Sequence, residues 1–193
     1  MITMLSPLGV GRMGSARAIP VLPTPKGENV VIITGAGGSG VLLSDACVDN
    51  GLKLLKPMPA DLDAAFRKFI PPFGAAGNPV DITGGEPPKT YQNTIRLGLE
   101  DPRIHALILG YWHTIVTPPM VFAKLVAEVV EEFRARGISK PVVASLAGDV
   151  EVEEAAEYLF DHGVPAYPYS TEMPVMVLGA KYKWARGAGL IKA

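Results

Sequence analysis

Asn29-Val30-Val31-Ile32-Ile33-Thr34-Gly35-Ala36-Gly37-Gly38-Ser39-Gly40-Val41-Leu42-Leu43 is the stretch whose pattern decides the architecture. Its first six residues form a continuous run dominated by β-branched side chains. Such a run suits a parallel strand buried on both faces better than a half-exposed one, which would alternate. The glycines then break the strand. Residues 41–49 continue as a helix, and Asn50-Gly51 supplies its stop. A buried strand, a glycine turn and a helix in this order open a doubly wound α/β domain.

The same alternation repeats outward. Residues 52–55 read as a short second strand. Leu62, Ala65, Phe66 and Phe69 share one face of a helix over residues 61–69. Three prolines and two glycines make residues 70–79 a loop, because neither residue type sustains a regular element. A short strand, Val80-Asp81-Ile82, and a turn, Thr83-Gly84-Gly85, follow. A helix starts after Pro87 and Pro88, where a first turn loses no intrahelical donor, and runs to Leu99. Residues 106–111 form the next buried strand, residues 119–136 a long helix ended by Gly137, and residues 141–145 another strand. Residues 151–161 are an acid-rich helix whose first carboxylates suit the positive end of the macrodipole. Ala166-Tyr167 is a last strand and residues 172–186 a last helix. Short connections between alternating strands and helices imply a doubly wound parallel sheet, a flavodoxin-like three-layer sandwich.

The 193 residues suffice for one well-buried core. A formal net charge of −1 gives no field to recruit nucleic acid or an anionic membrane. The single cysteine, Cys47, excludes an internal disulfide framework and fits a reducing, cytoplasmic setting. It lies among apolar neighbours and reads as a structural thiol. No run approaches the ~20 apolar residues needed to span a bilayer. Ile19-Pro20-Val21-Leu22-Pro23-Thr24-Pro25 carries three prolines, so residues 1–25 read as an arm or linker with no regular helix. Residues 26–193 are then the domain.

In an open parallel sheet ligands bind beyond the carboxyl ends of the strands. The loops leaving those ends begin at Thr34, Thr83, Trp112 and Leu146. Gly35, Gly37 and Gly40 have dinucleotide-fingerprint spacing. That fingerprint also needs an acid near the end of the second strand, and Leu52-Lys53-Leu54-Leu55-Lys56 has none. No Gly-Lys-Ser/Thr follows either, which excludes a Walker A loop. Two readings survive, a plain tight strand-to-helix turn and an anion seat, the latter because glycines admit close backbone approach and a helix start offers unpaired N–H groups with partial positive charge. Thr34, Gly35, Ala36, Gly37, Gly38, Ser39 and Gly40 form this phosphate- or carboxylate-binding set, joined by His113 and Thr114. Asn78, Asp81, Thr83 and Gly84 form a supporting loop. No pair or triad of His, Cys, Asp and Glu has metal-ligand spacing, so no metal is expected, and Asp149, Glu151, Glu153 and Glu154 read as a solvated helix start.

The order of these motifs resembles the ligase module of NDP-forming acyl-CoA synthetases, the family of ADP-forming acetate-CoA ligases and succinyl-CoA synthetase. The resemblance runs from Lys26-Gly27-Glu28-Asn29-Val30 through the glycine stretch with Asp45 one turn on. It continues through Asn78-Pro79-Val80-Asp81-Ile82-Thr83-Gly84-Gly85, Tyr91 and Glu100-Asp101, and ends at Lys140-Pro141-Val142-Val143 and Gly163-Val164-Pro165. It implies a non-autonomous part of an enzyme that joins an acid to CoA with ATP, giving ADP and phosphate. In that family a mobile histidine on another domain carries the phosphoryl group. The helix opening at Gly38-Ser39-Gly40 would point at it, with no catalytic residue on this chain. CoA, ATP/ADP and Mg would belong to partner domains: a CoA-binding and phosphohistidine domain, and an ATP-grasp domain. His113-Thr114 departs from the family, standing where succinyl-CoA synthetases have paired glycines. The residues alone also admit a stand-alone flavodoxin-like protein that binds a small anion or nucleotide, and a small α/β enzyme that uses His113.

Overall fold

A computed structural model describes residues 17–191. Its strands are β1 (Asn29–Thr34), β2 (Lys53–Leu54), β3 (Val80–Asp81), β4 (Ala106–Trp112), β5 (Val142–Ala147) and β6 (Ala166–Pro168). Its helices are α1 (Gly37–Asp49), α2 (Ala60–Arg67), α3 (Pro88–Glu100), α4 (Pro119–Ala135), α5 (Glu151–Asp161) and α6 (Glu172–Gly187). All strand pairs are parallel and run in the order β2-β1-β4-β5-β6. The chain steps from β1 to one side and returns on the other at β4. The crevice between the carboxyl ends of β1 and β4 is therefore the topological switch point, where such sheets bind ligands.

The sheet divides the interior in two. On one face α1 and α6 cover Val30, Ile32, Ala106, Ile108 and Val143, with Leu43, Cys47, Leu178 and Tyr182 fully buried. On the other, α2 to α5 cover Val31, Ile33, Leu107, Leu109 and Ala144, with Phe66, Phe122 and Phe133 at the centre. The alternation along β1 sends successive side chains to opposite layers, as the pleat requires. Burial pushes the Cys47 thiol up to about 12 against a smaller opposing effect of Lys56, so Cys47 is a packing residue.

β2 and β3 share the outer edge of β1. β2 pairs with Asn29 and Val30, and β3 with Ile33 and Thr34. Asn78 fills the gap between them. Its side-chain carbonyl accepts the Ile32 N–H at 3.0 Å, and its amide donates to the Val30 carbonyl at 2.8 Å. Asn78 thus serves the ladder rather than a ligand. Asn78→Ala leaves the Ile32 N–H without a partner, while the Val30 carbonyl keeps the Leu55 N–H at 3.0 Å, at a cost of about 2 kcal/mol. The thermal midpoint should fall by roughly 4–8 °C, and an unchanged midpoint would show the amide to be dispensable.

Two boundaries differ from the sequence expectation in ways that matter. Residues 17–21 are helical, although three prolines follow Arg17 before Lys26. Pro20 lies inside the turn closed by Leu22 N–H to the Ala18 carbonyl at 3.1 Å, where its missing donor is not required. Ala18 and Leu22 are buried in the α1–α6 layer, so this part of the expected arm packs on the domain; residues 1–16 lie outside the described ones. Second, α1 begins at Gly37 instead of residue 41. Three of the glycines are its first turn, not a loop, and the turn from β1 into α1 is only Gly35-Ala36.

Candidate functional site

Thr34 ends β1 with a buried side chain. Its hydroxyl accepts the Ala36 N–H and donates to the Ala36 carbonyl, both at 3.0 Å, which ties the turn to the strand. Gly35 N–H continues the ladder to the Gly110 carbonyl at 2.9 Å. The glycines have separate reasons to be there. A β-carbon on Gly35 would overlap the Tyr91 hydroxyl. One on Gly40 would stand 2.9 Å from the Thr34 methyl and 3.2 Å from Pro79, so Gly40 permits close packing of α1 on β1. One on Gly38 would meet nothing within 4 Å: that face is open.

Ala36 occupies the N-cap position in extended conformation and offers no side-chain cap, and the first turn of α1 holds no acid. The first backbone bond is Gly40 N–H to the Ala36 carbonyl at 3.0 Å. The N–H groups of Gly37, Gly38 and Ser39 precede it and have no partner within the helix. Most helices satisfy such donors with Ser, Thr, Asp or Asn. Here they are left available, with the positive end of a helix of 13 residues behind them.

The supporting loop closes one side. Asp81 Oδ1 accepts the Thr83 N–H at 2.9 Å, while Oδ2 lies 2.6 Å from where a Gly37 β-carbon would be. The carboxylate therefore closes the Gly37 edge, and the Gly38 side stays open. Thr83 has φ of 65°, an unfavourable conformation for a β-branched residue and one typical of functional turns. Gly84 lies against the Gly35 carbonyl, with the Thr114 methyl beyond it. The Thr114 hydroxyl accepts the Thr117 N–H at 3.2 Å, so Thr114 shapes the wall.

Tyr91 was not among the expected site residues. It projects from α3 into an aromatic cluster, edge-on to Phe122 at 5.2 Å and tilted against Tyr111 at 6.3 Å. Its hydroxyl has no hydrogen-bond partner among the described residues, yet the sealed unpartnered hydroxyls are those of Tyr167 and Tyr182. The Tyr91 oxygen stands directly beside Gly35. Burial, with smaller contributions from Asp81 and Glu86, pushes its pKa well above the ordinary tyrosine value. It stays protonated and is a donor. Only the glycine at position 35, which leaves room for that oxygen, hinted at it.

His113 does not join this group. Gly148 lets it lean the other way: a β-carbon there would stand 2.7 Å from the His113 β-carbon. Its Nδ1 lies 3.3 Å from Asp149 Oδ1 and its Nε2 3.5 Å from Glu151 Oε2. Two carboxylates beside a ring disfavour anion binding, so the anion-seat role expected for His113 is not what its surroundings support. They also bring together a group that spacing along the sequence does not show. His113, Asp149 and Glu151 offer ligand atoms all within 4.8 Å of one another, because adjacent strands bring the two loops together.

The Ligase-CoA domain family matches residues 30–192. The chain is 39% identical over 171 residues to the alpha subunit of acetate–CoA ligase [ADP-forming] I of Pyrococcus furiosus, a match covering 89% of this chain and 36% of that one. It is 34% identical over 166 residues to the alpha subunit of acetate–CoA ligase [ADP-forming] II of the same organism, covering 83% of this chain and 34% of the relative. Its fold superposes on the dinucleotide forming acetyl-coenzyme A synthetase 1 of Ca. Korarchaeum cryptofilum, solved in complex with phosphate and ADP. That superposition has a TM-score of 0.84 and 34% identity, covering 93% of this chain and 38% of that one. The chain thus spans a little over a third of these relatives, which carry further sequence beyond the shared region. With its parallel sheet, its uncapped α1 and this match across nearly all its described length, the chain belongs to the Ligase-CoA domain family.

Proposed function

We propose that the chain acts as the anion-seating module of an NDP-forming acyl-CoA synthetase, which joins a carboxylic acid to CoA while ATP gives ADP and phosphate. The observation that carries this is the uncapped, acid-free first turn of α1 at the switch point. A helix N-terminus with open N–H groups stabilises a phosphoryl or carboxylate group. The Tyr91 hydroxyl adds a neutral donor on the Gly35 side. Among the described residues no histidine reaches this seat, which fits a phosphoryl carrier supplied from elsewhere. In this scheme a domain bearing a phosphohistidine presents the group to Gly38 and Ser39, and CoA, nucleotide and Mg are held by CoA-binding and ATP-grasp domains. The relatives' names, which specify acetate and ADP, support this reaction class.

Reconstitution tests it. The chain is mixed with the CoA-binding, histidine-bearing and ATP-grasp parts of its ligase, and acid- and CoA-dependent ADP formation is followed. Activity should require the chain and be absent from the chain alone. Equal activity without the chain would overturn the proposal.

A further inference from the structure

We propose that His113, Asp149 and Glu151 form a binding site for a divalent transition metal of the zinc class, separate from the anion seat and independent of the reaction assigned to it. The three side chains come from the end of β4 and the turn into α5, and their ligand atoms lie within 4.8 Å of one another. The two contacts of the imidazole divide the work. With its proton on Nδ1, the ring donates to Asp149 Oδ1 at 3.3 Å, and the Nε2 lone pair is left facing Glu151 Oε2 at 3.5 Å. Zinc bonds to nitrogen and carboxylate oxygen place neighbouring tetrahedral ligands about 3.4 Å apart. The Nε2–Oε2 separation therefore already suits two ligands of one ion. Asp149 then supplies the carboxylate that orients a metal-bound histidine and fixes its tautomer.

Charge points the same way. Among the described residues neither Asp149 nor Glu151 has a lysine or arginine within ion-pair distance; His113 is their one ion-pair partner, and Asp149 Oδ1 also accepts the Glu151 N–H at 3.3 Å. Glu153, on the same helix, accepts the Tyr169 hydroxyl at 3.0 Å, and that hydroxyl also lies 3.2 Å from the Asp149 carbonyl, so the turn is held from its far side. Gly148 is what admits His113, since any β-carbon there would collide with it. Two protein ligands leave open positions for water, which makes this an accessible site of modest affinity.

The intact chain is titrated with Co²⁺, followed by visible absorption, and with Zn²⁺, followed by calorimetry. One equivalent should bind. His113→Ala and Glu151→Gln should each abolish binding. Asp149→Asn should weaken it by about tenfold, as expected for loss of an orienting partner. His162→Ala and Glu154→Gln should leave it unchanged. Glu151 is exposed, so Glu151→Gln reports on binding even if His113→Ala unfolds the chain. Absence of binding at millimolar metal, or equal binding by wild type and Glu151→Gln, overturns the site.

Discussion

Gly35→Ala should lower stability by about 4 kcal/mol, combining core overpacking with a disturbed aromatic pair. The thermal midpoint then falls by roughly 8–16 °C. The new methyl overlaps the Tyr91 hydroxyl, and Tyr91 cannot retreat freely because Phe122 and Tyr111 hold its ring, themselves stacked at 4.4 Å. The clash is with one oxygen, which makes the prediction sharp. Tyr91→Phe deletes that oxygen and leaves the ring carbon 3.1 Å from the methyl, a contact that small shifts relieve. The double variant should therefore recover about half the lost stability in a thermal double-mutant cycle. It should not recover activity in the reconstituted ligase, because the donor beside the seat is gone. Additive losses would show that Gly35 is required for some reason other than Tyr91.

The fold was legible because its signals are local. Val30-Val31-Ile32-Ile33 announces a two-sided buried strand, and helix α5 runs from Glu151 to Asp161 as its acids and apolar spacing indicate. The start of α1 was not legible. Glycine is a poor helix former, and the packing of Gly40 on Pro79 joins residues far apart in sequence. The site shows the same division. The glycine turn at the carboxyl end of β1 lies within one short stretch and could be read from it. Tyr91 and the His113–Asp149 contact depend on which strands are neighbours: 36 residues separate the latter pair, and their meeting is a consequence of β4 pairing with β5. Asn78 was grouped with the site by position, whereas its amide substitutes for missing ladder bonds between β2 and β3.

The central claim is that the first turn of α1 receives an anion that other domains supply. Gly38 separates this role from stability, since a side chain there meets no neighbour. Replacing glycine in a helix and adding an acid near its positive end both favour folding. Gly38→Asp should therefore fold with an equal or higher thermal midpoint while placing a carboxylate where the anion belongs. The most direct measurement is kcat for acid- and CoA-dependent ADP formation by the ligase reconstituted with Gly38→Asp, beside the thermal midpoint of the same preparation. A fall of at least about 100-fold in kcat with the midpoint maintained is the expected result; a wild-type rate from this folded variant would contradict the claim.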